Sequence, residues 1–231
     1  MVLAAPAGGD IRLADAAMKR DTAAVRSLIE QKVDVNAPGK DGTPALHWIV
    51  RVDDVETARL LIRSGADVKF ADRYGVTPLY IACTNGNAAM IKLLLEAGAN
   101  VQAKKGTILC YVCENDDCLP MVEALLAAGA KVNVTGGYMG TTPLHVALER
   151  AHTEVVPVLL RAGANAQTKD RNGWTPFLHA ALRCDIPTVK LLIEAGSDVN
   201  AVDKERRNAY GLASKWGSRE VAEFIKSLLK K

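Results

Sequence analysis

Glycine recurs along this 231-residue chain with a period near 33. Gly42, Gly75, Gly106, Gly140 and Gly173 are separated by 33, 31, 34 and 33 residues. One further period before Gly42 lies Gly9, and one after Gly173 lies Arg206, so seven register points span the chain. Four residues beyond these points stand Leu13, Leu46, Leu79, Cys110, Leu144, Phe177 and Tyr210. Seven residues beyond them stand Ala16, Ile49, Ala82, Cys113, Ala147, Ala180 and Ala213. Such a period means stacked supersecondary units, because a single helix pair cannot bury its apolar face and must share it with its neighbours.

The order within each unit is constant. A first helix opens on Thr77-Pro78-Leu79, Thr142-Pro143-Leu144 or Thr175-Pro176-Phe177. Thr caps the helix start, and Pro takes the first helical position, where its missing N–H is no loss. A second helix follows with apolar residues at helical spacing, as in Val155, Leu159 and Leu160. It ends at Gly65, Gly98, Gly129, Gly163 or Gly196, the place of a left-handed C-cap. Thr142-Pro143-Leu144-His145-Val146-Ala147 matches the Thr-Pro-Leu-His-x-Ala signature in full. With that motif and that period, the chain resembles the ankyrin-repeat family over residues 9–230, and its first repeats resemble bacterial ankyrin proteins. The resemblance implies an all-α repeat solenoid of helix-turn-helix pairs joined by β-turn or hairpin loops. It implies one domain over residues 9–231, with about seven repeats and polar-faced caps at both ends. Residues 1–8 read as a disordered lead-in.

Two turns break the period. The turn before Gly106 is two residues short, and the turn before Gly140 is one residue long and contains Gly136-Gly137. The fourth repeat lacks Thr-Pro and reads Gly106-Thr107-Ile108-Leu109-Cys110. Drift in a tolerant array and a local dent in the binding face both remain open.

Composition narrows the function classes. Hydrophobic residues are 49% and charged residues 24%, as in ordinary globular chains, and the net charge of +3 is too mild to argue for nucleic acid. No apolar run reaches the roughly 20 residues of a membrane span. Five cysteines at irregular spacing suggest reduced thiols and favour the cytoplasm. The periplasm or secretion is the alternative if residues 2–8 are the remnant of an export signal. Cys110-x2-Cys113-x4-Cys118 looks metal-like, but Cys110 and Cys113 fall on core register positions, so no metal and no cofactor is expected. His47 and His145 hold the signature position, where the resemblance implies hydrogen bonding between adjacent loops. No glycine-rich stretch ends in Gly-Lys-Ser/Thr, and no nucleophile–base set converges, so an enzyme is not expected.

With the interior committed to packing, function falls to the surface. The resemblance implies partner binding through the loop tips and the concave face of the first helices. At the tips and just beyond them these are Lys40, Arg73, Tyr74, Val76, Lys104, Lys105, Tyr138, Met139, Arg171, Asn172 and Trp174. At the ends of the first helices they are Arg51, Thr84, Asn85, Asn115, Asp116, Glu149, Arg150, Leu182 and Arg183. Tyr, Trp, Met and Arg are enriched at interface centres. Tyr74, Tyr138 and Trp174 have no core role in the register and are expected to form an aromatic ridge. The expected partner is another protein, with an acidic patch to meet the basic tips, bound by a monomer without membrane or nucleic acid. Two alternatives remain: binding of nucleic acid or another acidic ligand through the basic tips, and a consensus-like scaffold with no natural target.

Overall fold

A computed structural model describes residues 10–102, 107–136 and 139–229. Lys104, Lys105 and Tyr138, named above as candidates, lie outside the described residues, as do residues 1–8 and the short turn before Gly106. The chain divides into two compact units, one ending at residue 105 and the other beginning at residue 106.

The first unit contains α1 (Arg12–Met18), α2 (Thr22–Glu30), α3 (Ala45–Arg51), α4 (Val55–Arg63), α5 (Pro78–Asn85) and α6 (Ala88–Glu96). The first helices α1, α3 and α5 pack in a row, with α2, α4 and α6 forming the second layer. The second unit contains α7 (Ile108–Val112), α8 (Leu119–Ala127), α9 (Pro143–Glu149) and α10 (Val156–Arg161). It continues with α11 (Pro176–Arg183), α12 (Ile186–Glu194), α13 (Ala209–Trp216) and α14 (Arg219–Leu229). Here α7, α9, α11 and α13 follow one another in contact. Each unit is therefore an all-α stack of repeats, the solenoid architecture implied by the period. Among the described residues β-structure is limited to two isolated bridges, Gly136 with Thr141 and Val202 with Asn208. No helix among them is long and apolar enough to cross a membrane.

The local causes are those the register implies. The hydroxyls of Thr77, Thr142 and Thr175 accept from the N–H groups of Tyr80, His145 and Leu178, each with Pro in the first turn. The second helices are capped by carboxylate or amide side chains: Asp21, Asp54, Asn87 and Asp185 accept from Ala24, Thr57, Met90 and Thr188. Such a cap is worth about 1 kcal/mol to the helix start. The core is the shared seam: Leu13, Leu46, Leu79, Leu144 and Phe177 are all almost completely buried. Repeats are also tied by side-chain amides. Asn133 Nδ2 donates to Gly163 O at 2.9 Å while its Oδ1 accepts from Asn165 N at 2.8 Å. Asn36 makes the same pair of bonds to Gly65 O and Asp67 N in the first unit.

All five cysteines are buried as thiols. Cys110 Sγ points to Val134 O and Thr141 O at 3.8 and 3.7 Å. A Cβ on Gly136 would come within 3.0 Å of that sulfur, so this glycine makes room for Cys110. The irregular fourth repeat is visible in α7, which has only five residues.

Candidate interaction surface

Among the described residues, three loop tips are built on an aspartate at the same register position: Asp72, Asp170 and Asp203. In the second unit Asp170 Oδ1 accepts from the N–H groups of Asn172 and Trp174, both at 2.8 Å. Asp170 N donates to Trp174 O, and Gly173, at φ +80°, donates back to Asp170 O. Asp72 closes the first unit's tip in the same way on Tyr74 and Val76. Successive tips are joined by main-chain bonds from Arg171 N to Met139 O and from Lys204 N to Asn172 O. The tips are therefore preorganised, which lowers the entropy lost when a partner docks.

The signature histidines hold the tips from below. His145 Nδ1 receives the Thr142 N–H at 3.3 Å, and its Nε2 lies 3.1 Å from Trp174 O. That network puts the ring proton on Nε2. His47 Nε2 lies 3.1 Å from Val76 O, with Phe70 edge-on to the ring. Burial pushes both imidazoles below the ordinary histidine range, so they serve as neutral hydrogen-bonding groups.

Two grooves lie between these tips and the first helices, one in each unit. In the second unit a groove of about 270 Å³ is lined by Met139, Glu149, Asn172, Trp174, Leu182 and Arg183, all six named from the sequence. Thr141, Asp170 and His179 complete its wall. Trp174 is half-buried, less exposed than its register position suggests. Its ring lies 4.9 Å from that of His179, and the Arg207 guanidinium stands 5.7 Å over it. His179 is buried, and desolvation, helped by the charge of Arg183 and by His145, pushes its pKa down to about 3. Its 3.9 Å approach to Asp170 Oδ2 is thus a contact of a neutral imidazole and not an ion pair.

The first unit's groove, about 320 Å³, brings together Arg51, Arg73, Tyr74 and Val76 with Asp41, Thr43, Trp48 and Asp72. Tyr74 is 67% exposed, with the Arg73 guanidinium 4.9 Å over its ring. Arg51 stands likewise over Trp48 at 5.0 Å. Partial burial pushes the Asp41 carboxyl up, but hydrogen bonds from Thr43 and the charge of Arg73 outweigh it, so Asp41 is held below the usual carboxylate range. Sequence reasoning passed over Trp48, although a tryptophan one residue before the buried Ile49 was a usable signal.

Other candidates stand apart. Lys40, Arg150 and Arg171 are exposed at tips or helix ends without lining either groove. Asn85 acts as a structural clamp: its Nδ2 lies 3.1–3.3 Å from Val50 O, Arg51 O and Asp53 Oδ1 of the preceding repeat. The Thr84 hydroxyl donates to Ile81 O within its own helix. Asn115 donates to Tyr111 O, and it lies with the exposed Asp116 in the α7–α8 loop. A larger hollow, about 440 Å³, lies against α1 and α2 among Arg12, Asp15, Lys19 and Asp21. It holds none of the tip residues and no aromatic side chain, so the two tip grooves are the stronger candidates.

Comparison with known proteins agrees with this fold. The model described as ankyrin repeats (3 copies) matches residues 13–105, 102–170 and 160–230. The chain is 29% identical over 205 residues to the E3 ubiquitin-protein ligase KEG of Arabidopsis thaliana, covering 82% of this chain but 13% of the ligase. It thus spans only a small part of that relative's length. It is also 29% identical over 183 residues to the putative ankyrin repeat protein YahD of Escherichia coli K12, covering 74% of this chain and 89% of that protein. Among solved structures, the human ASB11 ankyrin repeat domain superposes with a TM-score of 0.73 at 28% identity, covering 95% of this chain and 97% of that one. Repeat period, helix pairing, tip chemistry and these matches lead to one assignment: the chain belongs to the ankyrin-repeat family.

Proposed function

We propose that this chain is a non-catalytic protein-binding module whose partner docks on the loop tips and first-helix ends, with the two tip grooves as its anchoring points. Ankyrin repeats are protein-interaction modules, and the family is in general a non-enzymatic scaffold. The observation that carries the reading is the convergence of Trp174, Met139 and Leu182 with Glu149 and Arg183 in one preorganised groove. Trp, Met and Arg are among the residue types enriched at interface centres. The partner is another protein, with carboxylates to meet Arg51 and Arg73 in the first unit's groove.

The chemistry of the interior supports a binder over a catalyst. Burial pushes the Cys110 and Cys184 thiols up to about 12, far from the thiolate a nucleophile requires. His47 and His145 are neutral and already engaged with backbone carbonyls.

Chemical cross-linking in the source cell, comparing the native chain with Tyr74→Ala, Arg73→Ala and Leu182→Ala variants, tests the reading. For the partner so captured, each truncation is expected to cost about 1–3 kcal/mol of affinity. Thermal stability should stay nearly unchanged for the exposed Tyr74 and Arg73. Lys92→Ala and Glu123→Ala, exposed on second helices, serve as controls. Equal losses from the controls, or none from the groove residues, would place the contact elsewhere.

A further inference from the structure

We propose that Cys118, His152 and Glu154 form a zinc-binding site in the second unit. Their ligand atoms, a thiol sulfur, a ring nitrogen and a carboxylate oxygen, all lie within 4.8 Å of one another. Around a tetrahedral zinc such donors stand about 3.5 Å apart, so closing the site takes roughly an ångström of adjustment, which the exposed Glu154 can supply by side-chain rotation.

The repeat register singles out these residues independently. In four repeats the residue opening the second helix is Asp21, Asp54, Asn87 or Asp185, and its side chain caps the helix. In the two repeats between, that register position holds Cys118 and His152. They follow left-handed residues, Asp117 and Ala151, as Asp21 and Asp54 follow Arg20 and Asp53. Cys118 makes no side-chain cap bond, and α10 starts only at Val156. His152 Nε2 is buried with no hydrogen-bond partner, and its Nδ1 stands 4.0 Å from Glu154 Oε1, beyond hydrogen-bond reach. Two adjacent repeats have thus given up their caps for side chains that cap nothing, and equivalent positions in a stack stand side by side. The Cys110-x2-Cys113 spacing points to other ligands, but those two sulfurs face the core.

The chemistry balances. Burial, then the charge of Glu154, push the Cys118 thiol up to about 11. On binding, the S–H bond breaks, the zinc–sulfur bond forms and one proton passes to solvent, with no change of oxidation state. Thiolate and carboxylate neutralise the dication, the imidazole binds in its neutral form, and water takes the fourth corner. The metal joins the α7–α8 loop to the α9–α10 loop, bracing the two repeats whose second helices lack side-chain caps.

The test uses the full chain without a histidine tag, reduced, stripped by chelator and titrated with zinc alone under native mass spectrometry and thermal melting. One equivalent should be retained and the melting temperature should rise. Cobalt in its place should give thiolate charge-transfer absorption that Cys118→Ser abolishes. Glu154→Gln, at an exposed position that folding tolerates, should weaken zinc binding by at least about tenfold, while Glu123→Gln leaves it unchanged. No retained equivalent, cobalt binding without the thiolate band, or equal affinity in Glu154→Gln would overturn the site.

Discussion

Replacing Phe177 with Ala is expected to lower the unfolding free energy by about 3–5 kcal/mol. Phe177 is the bulkiest fully buried side chain among the described residues, and it sits in α11, which packs against both α9 and α13. Truncation leaves a cavity that backbone stacked on both sides cannot close. Urea unfolding of the variant measures the loss directly. Because each repeat touches only its neighbours, the weakening is also expected to be local. Hydrogen exchange should show protection falling first in α9, α11 and α13, and later in α7 and α8. A loss below about 1 kcal/mol, or protection falling evenly over every helix of the second unit, would contradict a neighbour-coupled core.

Acidification from pH 7 to pH 5 is expected to destabilise the chain by about 2 kcal/mol through His179 alone. The sign follows from the two protonation equilibria. The unfolded imidazole takes up its proton near pH 6.5, whereas in the fold it does so only near pH 3. The unfolded state therefore binds more protons throughout that window, and stability is lost as pH falls through it. His47 and His145, also held below their ordinary value, act in the same direction. Denaturant titrations of the native chain and His179→Gln at the two pH values isolate the contribution. The variant should lose about 2 kcal/mol less than the native chain on acidification. If both lose the same amount, Asp170, 3.9 Å away, holds the imidazolium in the fold and the pKa is not depressed.

Much of the architecture was legible because stacking repeats impose the same requirements at the same positions. Thr77, Thr142 and Thr175 cap the first helices because a hydroxyl before Pro leaves few other local geometries. Cys110 and Cys113 are core residues because their register places them on the seam where Leu and Ala stand in other repeats. Side-chain roles at the rim were less legible. Asn85 reads as a surface amide but clamps three oxygens of the preceding repeat. Trp174 reads as exposed but rests half-buried beside His179, and Trp48 lines a groove although its neighbours face the core. An aromatic at the edge of a stack can turn inward or outward from one backbone position, and that choice depends on the next repeat's side chains.

By itself the sequence determined the register, the two-helix unit, the Thr caps of the first helices and the buried seam, since each follows from periodicity and local hydrogen bonding within about 33 residues. Only the tertiary structure decided which rim residues share a groove, that His179 stays neutral, and that Cys118 meets His152 and Glu154. The physical reason is that these outcomes depend on desolvation and on distances of a few ångströms between side chains of different repeats. Spacing along a chain specifies which repeats are neighbours, but it leaves open the rotamers through which they touch.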